Sequence, residues 1–296
     1  MTYLLTRRTT QRQFLLTPCA VVNEVMLYLL AVYAERYSID VHAFVCMSSH
    51  IHLVCTDVKG KLPFFMAQFL SLSARALNAF HGRFENFWSN ERYSRVLLPG
   101  EIEQLDKLVY THTNPVTAGL VEDHEDWPGA ATRPILSGAY EIEIARPDHF
   151  FREDSETMPA SARLRVTAPP LLRGEKPRVL GTRLLGLIKA SEKETRETMR
   201  REGRKFVGRK TVLRQSPKQS ARSHEERFKT NPTLACRDKW KRIELLQRKL
   251  EWLKEYREAY GRYRGGDRDV IFPFGSFKWP TFANANVAPA PTIEPG

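Results

Sequence analysis

The chain has 296 residues, 42% of them apolar, enough for one large domain or two ordinary ones with a hydrophobic core, and its formal net charge is +12. Residues 1–160 carry 14 Lys and Arg against 19 Asp and Glu, whereas residues 161–278 carry 32 against 14, which favours a polyanion partner over a merely solvated basic face. The longest apolar stretch, 25–34, is too short to span a bilayer, and the four cysteines imply no disulfide or zinc framework. We therefore expect a cytoplasmic protein without a membrane partner.

The first half alternates between strand-like and helix-like patterns. Residues 3–16 have strand character with a basic middle, and residues 20–36 carry apolar residues at helical spacing. Two apolar runs, 41–47 and 50–56, are separated by two serines, which predicts a tight hairpin or one bent strand. A helix after Pro63, a short strand near 92–98 and a helix from Glu101 to about His112 follow. This order predicts an α+β fold with a small antiparallel sheet and helices packed on one face.

The second half has a different composition. Residues 151–180 are rich in Pro, Ser and charged residues, which predicts a linker, and helical segments near 182–203 and 234–264 enclose a basic stretch. We therefore predict a first domain of residues 1–150, a linker of 151–180, a basic helical region of 181–278 that binds nucleic acid, and a disordered tail of 279–296. A protein-interaction or regulatory role is the alternative for the basic region.

Two histidines one residue apart, His50 and His52, stand in the second apolar run. Successive side chains of a strand point to opposite faces, so both imidazoles are predicted to project from one surface while Ile51 faces a core. Such a pair can present two ligands to one metal ion, but half-buried histidines without a metal have the same pattern. The pair alone leaves both interpretations open.

Tyr110 and Asn114 lie four residues apart at the end of the helix predicted from Glu101. Residues at this spacing share one face of a helix, so the phenol and the carboxamide are predicted to point into the same space, with His112 pointing elsewhere. A single tyrosine in a helix usually contributes to packing. The spacing therefore does not identify a nucleophile without further signals.

Three motifs together resemble one known family. MSSHIHLVC (47–55), HGRFENFWSNERY (81–93) and YTHTNPVTAGLV (110–121) are similar to the motifs of the single-tyrosine HUH transposases of bacterial insertion sequences, in particular the REP-associated tyrosine transposases. In that family, two metal-binding histidines flank a bulky hydrophobic residue, and a later helix supplies a nucleophilic tyrosine and a third ligand. The resemblance covers about residues 1–135. Ser48-Ser49 replaces the usual Pro-Asn, and Thr111 replaces the common Ile.

The resemblance implies a fold, a site and an activity. The fold would be a four- or five-stranded antiparallel sheet with helices on one side. His50, His52 and Asn114 would bind Mg²⁺ or Mn²⁺, and Tyr110 would be the catalytic nucleophile of a DNA transposase. Tyr110 would nick single-stranded DNA, form a 5′-phosphotyrosine link and be released when a 3′-OH rejoins the strands. The implied partner is single-stranded or hairpin DNA, and relatives act either as homodimers or as monomers.

Basic and aromatic residues near these motifs are candidates for DNA contacts. Phosphate contacts are predicted for arginines in the first strand region and around the second motif: Arg7, Arg8, Arg12, Arg83, Arg92 and Arg95. Neighbouring aromatic residues are candidates for base stacking or for core packing: Phe84, Phe87, Trp88 and Tyr93. Two other functions stay open, a DNA-hairpin-binding protein with little turnover and a metal-dependent nuclease without a covalent step.

Overall fold

The computed structural model describes residues 1–221, 232–276 and 278–289, which form two compact units, 1–235 and 236–296. Unit 1 contains β1 (Thr2–Arg8), α1 (Ala20–Tyr37), β2 (Ile39–Met47), β3 (His50–Asp57), α2 (Leu62–His81), β4 (Ser94–Leu97), α3 (Glu101–Thr117), β5 (Tyr140–Ala145), β6 (Ser161–Val166), α4 (Pro177–Arg201) and α5 (Arg209–Val212). Unit 2 contains α6 (Lys239–Arg264), β7 (Ile271–Phe272), α7 (Lys278–Ala283) and β8 (Asn286–Val287).

The fold is α+β, as predicted, but its main sheet differs from the prediction. Within the described residues this sheet has six strands in the order β4-β1-β3-β2-β6-β5, and its neighbours are antiparallel except for the parallel pair β2 and β6. The prediction of a four- to five-stranded antiparallel sheet is therefore wrong. The missed strands, β5 and β6, alternate exposed charged residues with buried ones, so they carry too few apolar residues to stand out in the sequence.

Helices cover both faces of the sheet, which corrects the prediction of helices on one face. Leu53 of β3 belongs to a core formed with α1 and α2, whereas Val54 beside it belongs to a core formed with α3 and α4. β3 is buried on both sides because its apolar residues occupy both sets of alternating positions. Ile51 is buried on the side of α1 and α2, as predicted.

The tight hairpin is confirmed, because β2 and β3 pair antiparallel around a two-residue turn at Ser48 and Ser49. Helix α3 is longer than predicted and ends at Thr117, with Pro115 inside its last turn. The helix continues through the proline because Ala118 N–H still donates to the carbonyl of Asn114, and Gly119 then adopts a positive φ of 70°. Tyr110 and Asn114 therefore lie on one continuous helix.

The predicted domain limits do not match the two units. Residues 151–180, predicted as a linker, include β6, which pairs with β5 and β2 in the sheet. Helix α4, assigned to a separate basic region, packs Leu180, Leu184 and Ile188 into the core of unit 1. Of the tail predicted to be disordered, residues 279–289 contribute to α7 and β8, and residues 290–296 lie outside the described residues.

Unit 2 is organised around aromatic side chains of α6. Tyr256 and Tyr263 pack with Phe272 and Trp279, and the rings of Phe272 and Trp279 stack at a centroid distance of 4.6 Å.

Among the helices of the described ranges, none is both long enough and apolar enough to cross a membrane.

Candidate active site

The four residues predicted to carry the chemistry converge between β3 and α3. Tyr110 Oη lies 3.5 Å from His52 Nε2. The rings of His50 and His52 have centroids 4.9 Å apart, and those of His52 and Tyr110 5.1 Å apart. The side chain of Asn114 lies close enough to those of His50 and Tyr110 to shift the pKa of each. The strand period and the helix period thus bring two imidazoles, a phenol and a carboxamide to one place.

The Nδ1 atoms of both histidines face hydroxyl groups. Thr6 Oγ1 lies 2.9 Å from His52 Nδ1, and Ser49 Oγ lies 3.2 Å from His50 Nδ1. A hydroxyl that accepts from Nδ1–H fixes the tautomer in which Nε2 keeps its lone pair. Thr6 was not predicted from the sequence. It reaches the site because β1 pairs with β3 in the register that sets Thr6 opposite His52.

The histidines are neutral at physiological pH and the tyrosine is protonated. Burial, together with the positive charges of Arg8 and Arg12, lowers the pKa of His50 to about 4. Burial also lowers the pKa of His52 well below its ordinary value. Burial raises the pKa of Tyr110, against the hydrogen bond from Asn114 and the charge of Arg8. The site therefore has two free imidazole lone pairs and one undissociated phenol.

This donor set fits a small divalent ion. Two neutral imidazole nitrogens and the amide oxygen of Asn114 supply three ligands, which leaves positions for phosphate oxygens and water. Asn114 and His52 are buried, so their side chains are held in place before any ligand arrives. The arrangement leaves room for a metal-bound phosphate group next to the hydroxyl of Tyr110.

The sheet register divides the predicted arginines into two groups. Arg8 stands opposite His50 and so lies on the face of the histidine pair. Arg12 lies at the end of the short 3-10 helix that follows β1. Arg7 stands opposite Ile51 on the other face, where it donates to the carbonyl oxygens of Ser89 and Glu91. The structure therefore brings Arg8 and Arg12, but not Arg7, to the histidine pair.

Among the other predicted DNA contacts, Arg95 lies on the face opposite the histidines. Arg95 pairs with Leu5, a residue of the α1–α2 core, and its guanidinium lies 5.4 Å from the ring centroid of Tyr3. Arg83 is half-buried just after α2, and Arg92 is exposed. Of the four aromatic candidates, Phe87 and Trp88 are buried in the core, Tyr93 is half-buried and Phe84 is fully exposed.

The basic segment that follows α4 packs against the histidine turn, which the sequence did not reveal. Ser48 Oγ donates to Gln215 Oε1 at 2.6 Å. Ala221 N–H donates to the carbonyl oxygen of Arg12 at 3.2 Å, where Arg12 holds a positive φ of 55°. This segment supports both the turn before His50 and the strained backbone that carries Arg12.

A second cluster of side chains able to bind a metal ion lies between the turn after α3 and helix α4. Asp123, His124 and Glu192 each offer a ligand atom, and these atoms lie within 4.8 Å of one another. His112 points away from Tyr110, as predicted, and its ring lies 6.5 Å from that of His124. The sequence did not predict this cluster because Glu192 lies far along the chain, in a region assigned to another domain. The three residues form a group able to bind a metal ion.

Comparison with known proteins gives several structural neighbours, two of which are transposases by description. No family model and no curated protein matches the chain. It is similar to a REP-associated tyrosine transposase bound to a REP hairpin, with 19% identity, a TM-score of 0.35, and coverage of 44% of this chain and 75% of that one. It is also similar to a presumed transposase of Deinococcus radiodurans R1, with 19% identity, a TM-score of 0.29, and coverage of 34% and 82%. At these scores the functional argument rests on the site and not on the neighbours.

Proposed function

We propose that this chain is a DNA transposase that nicks and rejoins single-stranded DNA through a covalent tyrosine intermediate. The observation that carries the proposal is the contact of Tyr110 Oη with His52 Nε2 at 3.5 Å, beside His50 and Asn114. A nuclease that only hydrolyses DNA needs a metal site but no phenol at that position. The sequence motifs that resemble the single-tyrosine transposases contain the same four residues.

His50, His52 and Asn114 are the proposed ligands of Mg²⁺ or Mn²⁺. When bound, such an ion neutralises charge on the scissile phosphate and stabilises the leaving 3′ oxygen. Thr6 and Ser49 orient the two imidazoles through Nδ1, and the low pKa of His50, about 4, keeps that ligand deprotonated at neutral pH. The protein thus keeps both imidazoles oriented and deprotonated before a metal ion binds.

Tyr110 is the proposed nucleophile. Its oxygen attacks the phosphorus in line, so a bond from Oη to phosphorus forms while the bond from phosphorus to the 3′ oxygen breaks. The phenol proton passes to solvent, and the leaving 3′ oxygen takes a proton from solvent, so the strand ends in a free 3′-OH. Burial opposes ionisation of the phenol, and the hydrogen bond from Asn114 and the charge of Arg8 favour it. Attack by a 3′-OH on the phosphotyrosine reverses the step, so rejoining needs no ATP.

Single-stranded or hairpin DNA is the proposed partner. Arg8 and Arg12 lie next to the histidine pair, where they can meet phosphates that approach Tyr110. Residues 161–235 carry 20 Lys and Arg against 7 Asp and Glu, so most of the positive excess belongs to the unit that holds the site. Tyr110 contacts His52 of the same chain, which supports cleavage in cis. A homodimer is therefore not needed to bring the tyrosine to the histidine pair.

A covalent-trapping experiment tests the proposal. The protein is incubated with Mn²⁺ and a labelled single strand that contains a foldback hairpin. We expect an adduct that survives denaturing electrophoresis, that Tyr110→Phe abolishes without loss of DNA binding, and that the control Tyr140→Phe retains. Cleavage that persists in Tyr110→Phe would instead indicate a nuclease without a covalent step. Binding without cleavage by the unmodified protein would indicate a hairpin-binding protein.

A further inference from the structure

We propose that Asp123, His124 and Glu192 form a second metal site, distinct from the histidine pair, that binds Zn²⁺ and ties the turn after α3 to α4. Asp123 Oδ1 lies 3.2 Å and Glu192 Oε1 2.7 Å from His124 Nδ1. Ligand atoms about 2 Å from one tetrahedral zinc ion lie about 3.3 Å apart. Asp123 already fits this spacing, and Glu192, which is hydrogen-bonded to His124 Nδ1 in the structure, would move by about half an ångström. One imidazole and two carboxylates form a donor set that suits zinc.

A buried oxygen of Glu192 without a hydrogen bond points to a missing ligand. Glu192 is fully buried, and its Oε2 has no hydrogen-bond partner among the described residues, although Oε1 accepts from His124 N–H at 2.8 Å. Within the same residues, His124 Nε2 and His112 Nε2 are also buried without partners. Such atoms are costly inside a protein unless an ion or a water satisfies them.

A metal ion on His124 Nδ1 would supply the partner that Glu192 Oε2 lacks, and it would replace the hydrogen bond of 2.7 Å between His124 Nδ1 and Glu192 Oε1. The imidazole proton would then lie on Nε2. The rings of His124 and His112 have centroids 6.5 Å apart, which is too far for a direct hydrogen bond, so the ion accounts for the oxygen of Glu192 and not for the two Nε2 atoms. His112 is on the helix that carries Tyr110 and Asn114, so the proposed site lies beside that helix.

The ammonium group of Lys189 competes for the proposed position. Its Nζ lies 2.8 Å from Asp123 Oδ2 and 3.5 Å from Glu192 Oε2. Arg196 approaches Glu192 Oε2 less closely, at 4.0 Å, and donates to the carbonyl of Glu122. The side chains of Lys189 and Asp123 are 45% and 32% exposed, so the lysine can move into solvent and leave an entry path for the ion.

Metal binding by the purified full-length chain tests this proposal. The chain is stripped of metal with a chelator and titrated with Zn²⁺ by calorimetry, and the same titration is made with His50→Ala/His52→Ala, which lacks the other site. We expect this double variant to bind one equivalent of Zn²⁺ and to gain thermal stability. Adding Glu192→Gln, which is nearly isosteric, should abolish both effects. Lys189→Met should lower the Zn²⁺ dissociation constant by at least about tenfold, because a competing charge is removed.

Each contrary result overturns the proposal. No zinc binding by the double variant would exclude a second site, as would binding that Glu192→Gln leaves unchanged. If the double variant fails to fold, the unmodified chain should bind two equivalents of Zn²⁺ and its Glu192→Gln variant one, and equal numbers would reject the site. Titration with Co²⁺ identifies the ligand type, and a sulfur-to-cobalt charge-transfer band would assign the second equivalent to cysteine and contradict the proposal.

Discussion

His42 gives the most quantitative prediction, because it is a buried base at the centre of the sheet. Its Nδ1–H donates to the carbonyl oxygen of Thr167 at 2.7 Å, and its Nε2 accepts from Thr56 Oγ1 at 2.8 Å. The hydroxyl of Thr2 lies 2.8 Å from that of Thr56, so the chain of hydrogen bonds extends from β1 to the end of β6. Burial lowers the pKa of His42 from 6.5 to about 4.

The sign of the pH effect follows from this shift. The unfolded chain takes up the proton near pH 6.5 and the folded chain only near pH 4, so the contribution of His42 is complete above pH 6.5 and declines as the pH falls towards 4. The free energy of unfolding should fall by about 2 kcal/mol between about pH 7 and about pH 5, and by about 3 kcal/mol at about pH 4, from this group alone.

Urea unfolding at about pH 7 and about pH 5, with chelator present, measures the effect. His42→Gln should lose about 2 kcal/mol less than the unmodified protein over this interval, because one titrating group has been removed. The matched control Thr56→Val breaks the same hydrogen-bond chain but keeps the imidazole, so it should retain the full pH dependence. An unchanged pH dependence in His42→Gln would refute the reasoning.

Three further predictions concern packing, unit boundaries and the metal ligands. Gly181→Ala would place a Cβ 2.1 Å from the carbonyl oxygen of Leu136 and should cost at least about 2 kcal/mol of unfolding free energy. In the same helix, α4, a Cβ at Gly186 meets no atom within 4 Å, so Gly186→Ala should stabilise the protein by up to about 1 kcal/mol. Similar changes in unfolding free energy for the two variants would contradict the packing of Gly181 against Leu136. A chain ending at Ala235, with 34 Lys and Arg against 26 Asp and Glu, should melt cooperatively and keep most of its DNA affinity, and failure to fold would contradict the two-unit division. Asn114→Ala should weaken Mn²⁺ binding at least about tenfold in calorimetry, and unchanged affinity would remove it from the ligand set.

The local part of the site could be predicted from the sequence. His50 and His52 share a face because side chains alternate along a strand, and Tyr110 and Asn114 share a face because they are four residues apart on a helix. Each of these relations depends only on short sequence spacing. The hairpin turn at Ser48 was likewise visible as a break between two apolar runs.

The parts that depend on long-range pairing could not be predicted. Adjacent residues Arg7 and Arg8 must point to opposite faces, but only the register of β1 against β3 decides which one joins His50. Glu192 meets His124 only because α4 packs on α3, far from it in sequence. The sequence predicts a linker where β6 lies, because the strand pattern of β6 is one-sided and charged.

The linkage site of the covalent adduct tests the central claim most directly. The adduct formed with Mn²⁺ and the foldback strand is digested with protease and nuclease, and the modified peptide is sequenced by mass spectrometry. The account predicts a nucleotide attached through its 5′-phosphate to Tyr110, 3.5 Å from His52 in the structure. A nucleotide on any other residue, or a cleaved strand with no modified peptide, would contradict it.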